Sequence, residues 1–262
     1  MDRPKVLVVA GYDQSGGAGV LADIKTLEAH EVYGYAAVTG MTWQNERVIR
    51  RVEWLALKDV FEQIDVCFES ADFSWVKIGI TESMEAAAAI AGHIRMRNPS
   101  VRVVLDPVIR ASSGADFWGE LAREEWEALA AHCYLVTPNW EEVNWLYPGE
   151  DVVARCADLS KRVGCHVYLK GGHHPEHPGR DYLWIDGEAE VLEAVAGGGT
   201  SAGGGDSAGG GTIWPKHGSG CVLSSALTAN LALGYPLPVA AERAKRYVAR
   251  FLGSNPTLLG WH

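Results

Sequence analysis

The sequence has few cationic residues for its length. Among its 262 residues, 23 are Lys or Arg and 33 are Asp or Glu, which gives a formal net charge of −10 at pH 7. Proteins that bind a nucleic acid duplex hold its phosphates with clustered Lys and Arg, so this deficit argues against such a surface. We therefore expect no nucleic acid partner, and instead a small-molecule substrate accompanied by a metal ion.

Closely spaced cysteine pairs and long apolar runs are also missing. The five cysteines lie at positions 67, 133, 156, 165 and 221, without CxxC spacing, and an odd number cannot all pair. We expect five reduced thiols, four of them buried. The opening MDRPKVLVVAG has no signal-peptide pattern, and no apolar run approaches the ~20 residues of a membrane span. The expected location is the cytoplasm, with no membrane partner.

Two common nucleotide-binding loops are absent as well. The chain contains no GxxxxGK[ST], and the glycine-rich loop at residues 15–19 does not supply GxGxxG. A nucleotide, if one binds, is held in another manner.

What the sequence does contain is an alternation of strand-like and helix-like segments. Near-continuous apolar runs at residues 6–11, 35–40, 75–80, 101–106, 133–138 and 166–172 are typical of parallel strands covered on both faces. Between them, residues 19–31, 58–70, 83–98 and 139–146 have helical patterns, and Asn98 and Pro99 end the third helix. This order predicts an α/β fold with a doubly wound, mostly parallel sheet between two layers of helices.

Polar and glycine-rich segments follow all six predicted strands. They read AGYDQSGGAG, TGMTWQNE, KIGITES, LDPVIRASSG, VTPNWEE and LKGGHH. Doubly wound sheets bind ligands beyond the carboxyl ends of their strands, so these segments predict a site on that rim. Each alone is also compatible with an ordinary turn.

Residues 196–212, AGGGTSAGGGDSAGGGT, have low complexity and predict a flexible linker. The sequence leaves open whether this linker is a natural flap or a laboratory replacement of a longer loop. The end of the chain, RYVARFLGSNPTLLGWH, is apolar, and we expect it to pack across the rim of the site or at a dimer interface.

The stretch HGSGCVLSSALTANLALG, beginning at His217, places glycines and a cysteine where a helix over residues 222–233 begins. The free N–H groups and the dipole of a helix amino terminus attract anions, so Gly218, Ser219 and Gly220 are candidates for a phosphoryl cradle. The same position lowers a thiol pKa and would make Cys221 a usable base. The alternative is that Cys221 is a small packing residue.

Taken together, these blocks resemble the hydroxymethylpyrimidine and hydroxymethylpyrimidine-phosphate kinases of thiamine biosynthesis, which belong to the ribokinase-like superfamily. The similar blocks are AGYDQSGGAGVLADIKT, TWQN, VKIG, LDPV, TPNWEE, KGGH and HGSGC, and they occur in the family's order. The resemblance implies one kinase domain over residues 1–262 that moves the γ-phosphate of ATP onto the hydroxymethyl group of 4-amino-5-hydroxymethyl-2-methylpyrimidine. It also implies a second phosphorylation, of the monophosphate.

The resemblance assigns a role to each matching position. Gly218, Ser219 and Gly220 match the anion hole, and Cys221 matches the proton acceptor for the attacking hydroxyl. Asp106, Glu142 and Asn139 match the Mg²⁺ and phosphate network; Thr137, Lys170 and Gly172 match nucleotide-side positions; Gly11, Asp23, Gln44 and Val108 match the pyrimidine pocket. The implied cofactors are ATP and Mg²⁺, a monovalent cation such as K⁺ stays open, and relatives are often homodimers.

The residue types agree with these roles, although each also has an ordinary structural explanation. Carboxylates for Mg²⁺ beside an anion cradle suit phosphoryl transfer, but Asp106 could cap a strand end and Glu142 could pair on a helix. The amide of Gln44 could pair with an aminopyrimidine edge or cap a loop. Asp23 could act only on a helix dipole, and Lys170 could be a surface cation.

Several positions depart from the family pattern. Gln14 replaces a usual Pro, Trp43 replaces a small residue and would narrow the pocket, and Ser112 replaces a Lys that contacts phosphate. His173, His174 and His177 are close in sequence, but without a companion carboxylate they indicate a solvated loop rather than a metal site.

Three other functions stay open at this point. Pyridoxal kinase is the nearest enzymatic alternative, because pyridoxal also carries a CH₂OH group on a six-membered nitrogen ring. A protein that binds the pyrimidine without catalysis is the alternative from another class. An ATP-dependent dehydratase that repairs hydrated nicotinamide cofactors is disfavoured, because we expect an Asp at the position of Cys221 there.

Overall fold

A computed structural model describes residues 2–110, 117–119, 122–149, 151–174, 176–195 and 212–262. Its strands are β1 (Lys5–Tyr12), β2 (Tyr33–Gln44), β3 (Ile49–Trp54), β4 (Trp75–Ile78), β5 (Arg102–Leu105), β6 (Leu135–Val136), β7 (His166–Leu169), β8 (Asp181–Ile185) and β9 (Glu188–Leu192). They form one sheet in the order β3-β2-β1-β4-β5-β6-β7-β8-β9. Every strand of the described residues therefore belongs to the same sheet.

The centre of this sheet is parallel and its edges are antiparallel. Strands β2, β1, β4, β5, β6 and β7 pair in parallel, while β3 pairs antiparallel with β2 at one edge, and β8 and β9 form an antiparallel extension at the other. The six predicted strands are the six parallel ones, and the expected fold class is confirmed. The three antiparallel strands were not predicted.

Helices cover both faces of the sheet. They are α1 (Gly19–Ala29), α2 (Leu57–Ser70), α3 (Met84–Arg97), α4 (Arg123–Ala130), α5 (Trp140–Leu146), α6 (Val152–Val163), α7 (Ser219–Ala232) and α8 (Leu237–Gly253). No helix of the described ranges is long and apolar enough to cross a membrane. The four helices predicted before residue 150 are observed as α1, α2, α3 and α5, and the one predicted over residues 222–233 begins three residues earlier, as α7.

The two faces carry separate apolar cores, as the side-chain alternation of a strand requires. Along β1, Leu7 and Val9 enter the core that α2, α3, α4 and α6 cover, whereas Val6, Val8 and Ala10 enter the core under α1, α7 and α8. Because both sides of β1 are buried, its sequence has no polar alternation. This explains why the apolar run identified a central strand.

All five cysteines are free thiols, as predicted. Cys133, Cys156 and Cys165 are buried, but Cys67 and Cys221 are only partly so. The expectation of four buried thiols is therefore wrong at Cys67, which lies on the partly exposed last turn of α2.

Of the linker predicted at residues 196–212, positions 196–211 lie outside the described residues, as does Ser112. The end of the chain packs beside the segment that leads into α7. The backbone N–H of His217 donates to the carbonyl of Leu258 at 2.9 Å, and the ammonium of Lys216 donates to the carbonyls of Asn255 and Thr257.

Two methionines of α3 allow a matched test of the core. Met84 is 3% exposed in the core under α2 and α3, whereas Met96 is 75% exposed. We expect Met84→Ala to lower the free energy of unfolding by about 2–5 kcal/mol, because it removes buried apolar atoms and leaves a cavity. Met96→Ala should change it by less than about 0.5 kcal/mol. Urea unfolding followed by circular dichroism measures both, and equal effects would contradict the assignment of this face to the core.

Candidate active site

A cavity of about 360 Å³ opens at the carboxyl ends of the parallel strands. Twelve of the fourteen predicted site residues line it: Gly11, Gln44, Asp106, Val108, Asn139, Glu142, Lys170, Gly172, Gly218, Ser219, Gly220 and Cys221. They come from the ends of β1, β2, β5 and β7, from α5 and from the start of α7. Residues more than 200 positions apart in the sequence therefore meet in one cavity of the size that small ligands occupy.

The structure does not bring Asp23 and Thr137 into the wall of this cavity. Asp23 is fully buried, where one carboxylate oxygen pairs with the ammonium of Lys77 at 2.8 Å and the other accepts from the hydroxyl of Ser225 at 2.7 Å. A buried carboxylate needs such partners, and both oxygens of Asp23 are engaged within the protein. Thr137 is also buried outside the wall, and its hydroxyl donates to Asp106 Oδ1 at 3.3 Å.

One ammonium joins the two carboxylates that were predicted to hold a metal. Lys170 Nζ lies 2.7 Å from Asp106 Oδ1 and 3.5 Å from Glu142 Oε2. Ser224 on α7 donates to the other oxygen of Asp106 at 3.0 Å. The two carboxylates and Lys170 therefore converge on one point at the carboxyl ends of β5 and β7.

The pKa values of Asp106, Glu142 and Lys170 all depart from their usual values. Burial would raise the pKa of Asp106, but the ammonium groups of Lys170 and Lys77 outweigh it and hold that pKa below its usual value. Burial raises the pKa of Glu142 to about 7, although Lys170 opposes the shift. Burial would lower the pKa of Lys170, yet Asp106 and Glu142 raise it. At neutral pH, Lys170 is a cation and Asp106 an anion.

The loop before α5 has a capping box that holds Glu142 in place. The side chain of Asn139 accepts from the N–H of Glu142 at 2.8 Å, and Glu142 Oε2 accepts from the N–H of Asn139 at 2.7 Å. This reciprocal pair satisfies two free N–H groups of the helix start. It leaves Glu142 with one carboxylate oxygen already engaged by its own helix.

The start of α7 depends on two glycines. Gly218 has a φ of +74°, and an added Cβ would lie 2.0 Å from the carbonyl oxygen of Gly17, so no other residue fits without displacing the first loop. A Cβ at Gly220 would lie 3.5 Å from Lys170 Nζ, which places this cation beside the cradle. The amino terminus of a 14-residue helix thus faces the cavity together with the partly buried ammonium of Lys170.

The expectation that Cys221 has a lowered pKa is wrong. Burial raises the pKa of its thiol to about 11; Lys77 and the N–H of Gly19 oppose that shift, while Asp23 and Asp106 add to it. The loss of solvation of the Cys221 thiol thus raises its pKa more than the helix dipole lowers it. The unliganded protein keeps Cys221 protonated at neutral pH.

The opposite half of the cavity is formed around β2 and β3. Thr42, Gln44 and Ile49 line the wall, together with Ile80 from the loop after β4. Trp43 points to the other face of β2, where Arg51 lies 3.6 Å above its ring, and it is not part of the wall. The bulk of Trp43 therefore does not narrow the cavity.

Several wall residues were not singled out from the sequence. Asp13 and His217 hydrogen-bond to each other across the cavity rim at 2.9 Å, and Lys245 on α8 pairs with Asp181 at 2.6 Å. Asp13 lies in the motif AGYDQSGGAG and His217 in HGSGC, so the motifs that resemble the family already contained both residues. Lys245 lies in an amphipathic helix with no such signal.

The histidine-rich loop after β7 is exposed at Glu176, His177 and Pro178, as expected, but not at His174. His174 is buried; its ring lies 4.5 Å from that of Trp140, and its Nδ1 atom is contacted by the N–H groups of Glu176 and His177. Among the described residues, no cluster of three His, Cys, Asp or Glu side chains could hold a metal. His174 acts as a packing residue.

Known proteins similar to this chain were found by sequence and by structure. The profile of the phosphomethylpyrimidine kinase family matches residues 13–209 and 212–261. A hydroxymethylpyrimidine/phosphomethylpyrimidine kinase of Rhizobium meliloti is 36% identical over 249 residues, which cover 92% of this chain and 88% of that protein. The crystal structure of a phosphomethylpyrimidine kinase from Clostridium difficile superposes with a TM-score of 0.72 at 30% identity, over 95% of this chain and 99% of that one. An ADP complex of Bacillus subtilis pyridoxal kinase gives 0.77 at 26% identity, over 98% and 94%.

The raised pKa of Cys221 can be tested by alkylation. At pH 8 and without ligands, we expect its reaction with iodoacetamide to be about 100-fold slower than that of a free thiol, since only the thiolate reacts. The rate should increase about tenfold per pH unit up to about pH 10. Mass spectrometry of the peptide that contains Cys221 measures it, and the partly exposed Cys67 serves as an internal comparison. A midpoint below pH 8 would contradict the raised pKa.

Proposed function

The chain belongs to the phosphomethylpyrimidine kinase family, and on this premise we propose that it transfers the γ-phosphoryl group of ATP to the hydroxymethyl group of 4-amino-5-hydroxymethyl-2-methylpyrimidine in thiamine biosynthesis. It then phosphorylates the monophosphate again. The observation that carries the proposal is that the start of α7, Cys221, Lys170 and the two carboxylates share one cavity. We further propose that residues 1–262 act as one kinase domain, because all described strands join one sheet.

The phosphate side of the cavity suits ATP. The N–H groups at the start of α7 and the ammonium of Lys170 provide fixed positive charge where three phosphate oxygens gain negative charge during transfer. The glycines at 218 and 220 leave room for close approach of the backbone. The pyridoxal kinase relative was crystallised with ADP, which supports a nucleotide as a ligand of this chain.

The acidic donors present also fit a magnesium ion. Mg²⁺ is commonly held by one or two carboxylates, with phosphate oxygens and waters as its other ligands. Asp106 and Glu142 supply two carboxylates that converge within 3.5 Å of one ammonium. They would hold the ion, and when bound it neutralises charge on the phosphates. Lys170 already neutralises Asp106 in the protein alone.

The acceptor half suits a hydroxymethylpyrimidine. The amide of Gln44 offers a donor and an acceptor to an aminopyrimidine edge, and Gly11 and Val108 leave room for a flat ring. Arg47 and Arg110 also line the cavity and would attract the phosphate of the monophosphate substrate. Only the thiolate of Cys221 can accept the proton of the attacking hydroxyl, so the thiol first releases its own proton to solvent. Because the transition state is loose, the hydroxyl loses its proton late, and the small thiolate fraction present at neutral pH can serve as the acceptor.

Pyridoxal phosphorylation is the second candidate, favoured by the likeness to pyridoxal kinase. Initial rates with the hydroxymethylpyrimidine and with pyridoxal, each with ATP and Mg²⁺, separate the two. We expect the pyrimidine to have the higher kcat/KM by at least about tenfold, with ADP formation matched by a phosphomonoester signal in ³¹P NMR. Equal or better use of pyridoxal would overturn the choice of substrate. Pyrimidine binding without ADP formation would identify a binding protein instead.

The role of Cys221 gives a further prediction. Cys221→Ala should lower kcat by roughly 10² to 10⁴-fold, the usual effect of losing a general base, with little change in the KM for the pyrimidine. Cys221→Asp should restore part of the activity. Cys67→Ala, which removes a thiol outside the cavity wall, is the control and should leave kcat unchanged. If Cys221→Ala has nearly full activity, the cradle and the metal perform the transfer without this base.

A further inference from the structure

Asp13 and His217 form a hydrogen-bonded pair that the proposed reaction does not use. His217 Nε2 lies 2.9 Å from Asp13 Oδ2, and both residues line the cavity. Asp13 belongs to the loop between β1 and α1, called the first loop here (residues 13–18), and His217 directly precedes the cradle at Gly218. The pair therefore connects the two halves of the cavity at its rim.

Asp13 is the centre of the first loop. Its carboxylate accepts from the N–H and the hydroxyl of Ser15 at 2.9 and 2.8 Å and from the N–H of Ala18 at 2.9 Å, in addition to His217. Burial would raise the pKa of Asp13, but the hydrogen bonds from His217 and Ser15 outweigh it and hold the pKa below its usual value. The carboxylate is thus an anion that orders its own loop and also accepts the hydrogen bond from His217.

His217 is held from three directions. Its backbone N–H donates to Leu258 in the C-terminal tail, and its imidazole donates to Asp13. Its ring also packs on Gly17, where an added Cβ would lie 2.7 Å from His217 Cδ2. The next residue, Gly218, contacts the carbonyl of Gly17 so closely that a Cβ would lie 2.0 Å from it. Any shift of His217 therefore moves the cradle relative to the first loop.

The first loop also contributes to the opposite half of the cavity. Ala18 and Gly19 line the wall at the start of α1, next to Gly11 at the end of β1. These positions belong to the half proposed for the acceptor, whereas Gly218 belongs to the half proposed for phosphate. The distance between acceptor and phosphoryl group is thus set where the first loop meets His217.

We infer that His217 and Asp13 are positioning residues, whose hydrogen bond fixes the spacing between the acceptor half and the phosphoryl cradle. This inference rests on the proposed kinase function. In-line transfer needs the reacting atoms about 3–3.5 Å apart, and a misplacement of 1 Å can lower the rate about 10²-fold. Loss of the bond reduces the rate of transfer more than the binding of either substrate.

The test compares two substitutions of His217. His217→Leu removes the donor, and we expect kcat to fall by about 10 to 100-fold while the KM values for ATP and pyrimidine change less than about threefold. His217→Gln retains an N–H donor near the position of Nε2 and should recover kcat to within about fivefold. Asp13→Asn removes the same bond and also weakens the contacts to Ser15 and Ala18. His217→Leu introduced into Asp13→Asn should therefore lower kcat little further than Asp13→Asn alone.

A similar pair outside the cavity is the control. His93 Nε2 lies 2.7 Å from Asp65 Oδ1 between α2 and α3, and neither residue lines the cavity. His93→Leu should leave kcat unchanged. The melting temperature of each variant is measured alongside. Should His217→Leu fail to fold, His217→Gln and Asp13→Asn provide the same comparison, with the Gln variant expected to be the more active.

Four results would overturn the inference: an unchanged kcat in His217→Leu, an equal loss in His217→Leu and His217→Gln, additive losses in the double variant, or a rise in KM for ATP with kcat preserved. The last result would make His217 a nucleotide-binding residue. If the unsubstituted protein forms no ADP with either substrate, the proposed function itself is at fault, and this outcome is separate from the other four.

Discussion

The ion pair between Lys170 and Asp106 connects more of the functional architecture than any other pair described above. It links the carboxyl ends of β7 and β5, and through Glu142 and Ser224 it reaches α5 and α7. Asp106 is buried and Lys170 is largely so, and removing either partner would leave the charge of the other uncompensated. In the proposed reaction, the same charges that stabilise this junction meet the phosphoryl group.

The central strands were predictable because burial on both faces leaves a signature in the sequence. Leu7 and Val8 point to opposite faces of β1, yet both are fully buried, and the resulting apolar run identifies the strand. Edge strands lack that signature. In β9, four of five residues are exposed, and β3 contains two arginines, so their pairing depends on neighbours that the local sequence does not reveal.

Site residues were predictable where they lie at the end of a strand or the start of a helix, because these positions face the cavity. Gly218 and Lys170 are two examples. The environments of Asp23 and Cys221 were not predictable from the local sequence. Asp23 pairs with Lys77, which is 54 residues away, and burial of the Cys221 thiol raises its pKa in spite of Lys77, which is 144 residues away. Near a helix start in water, the pKa of a carboxylate or thiol is lowered, whereas burial in the folded protein raises it. Only the tertiary structure shows which effect is larger.

The hydrogen bond from His217 to Asp13 spans 204 residues. During synthesis the first loop leaves the ribosome long before its partner exists, and the entropy of closing so long a segment has to be offset by many contacts formed together. A nascent or truncated chain that ends before α7 therefore holds β1 and its loop without a phosphoryl cradle. If the proposed site is the one that acts, such a fragment is incomplete, and a partly made chain would not consume nucleotide.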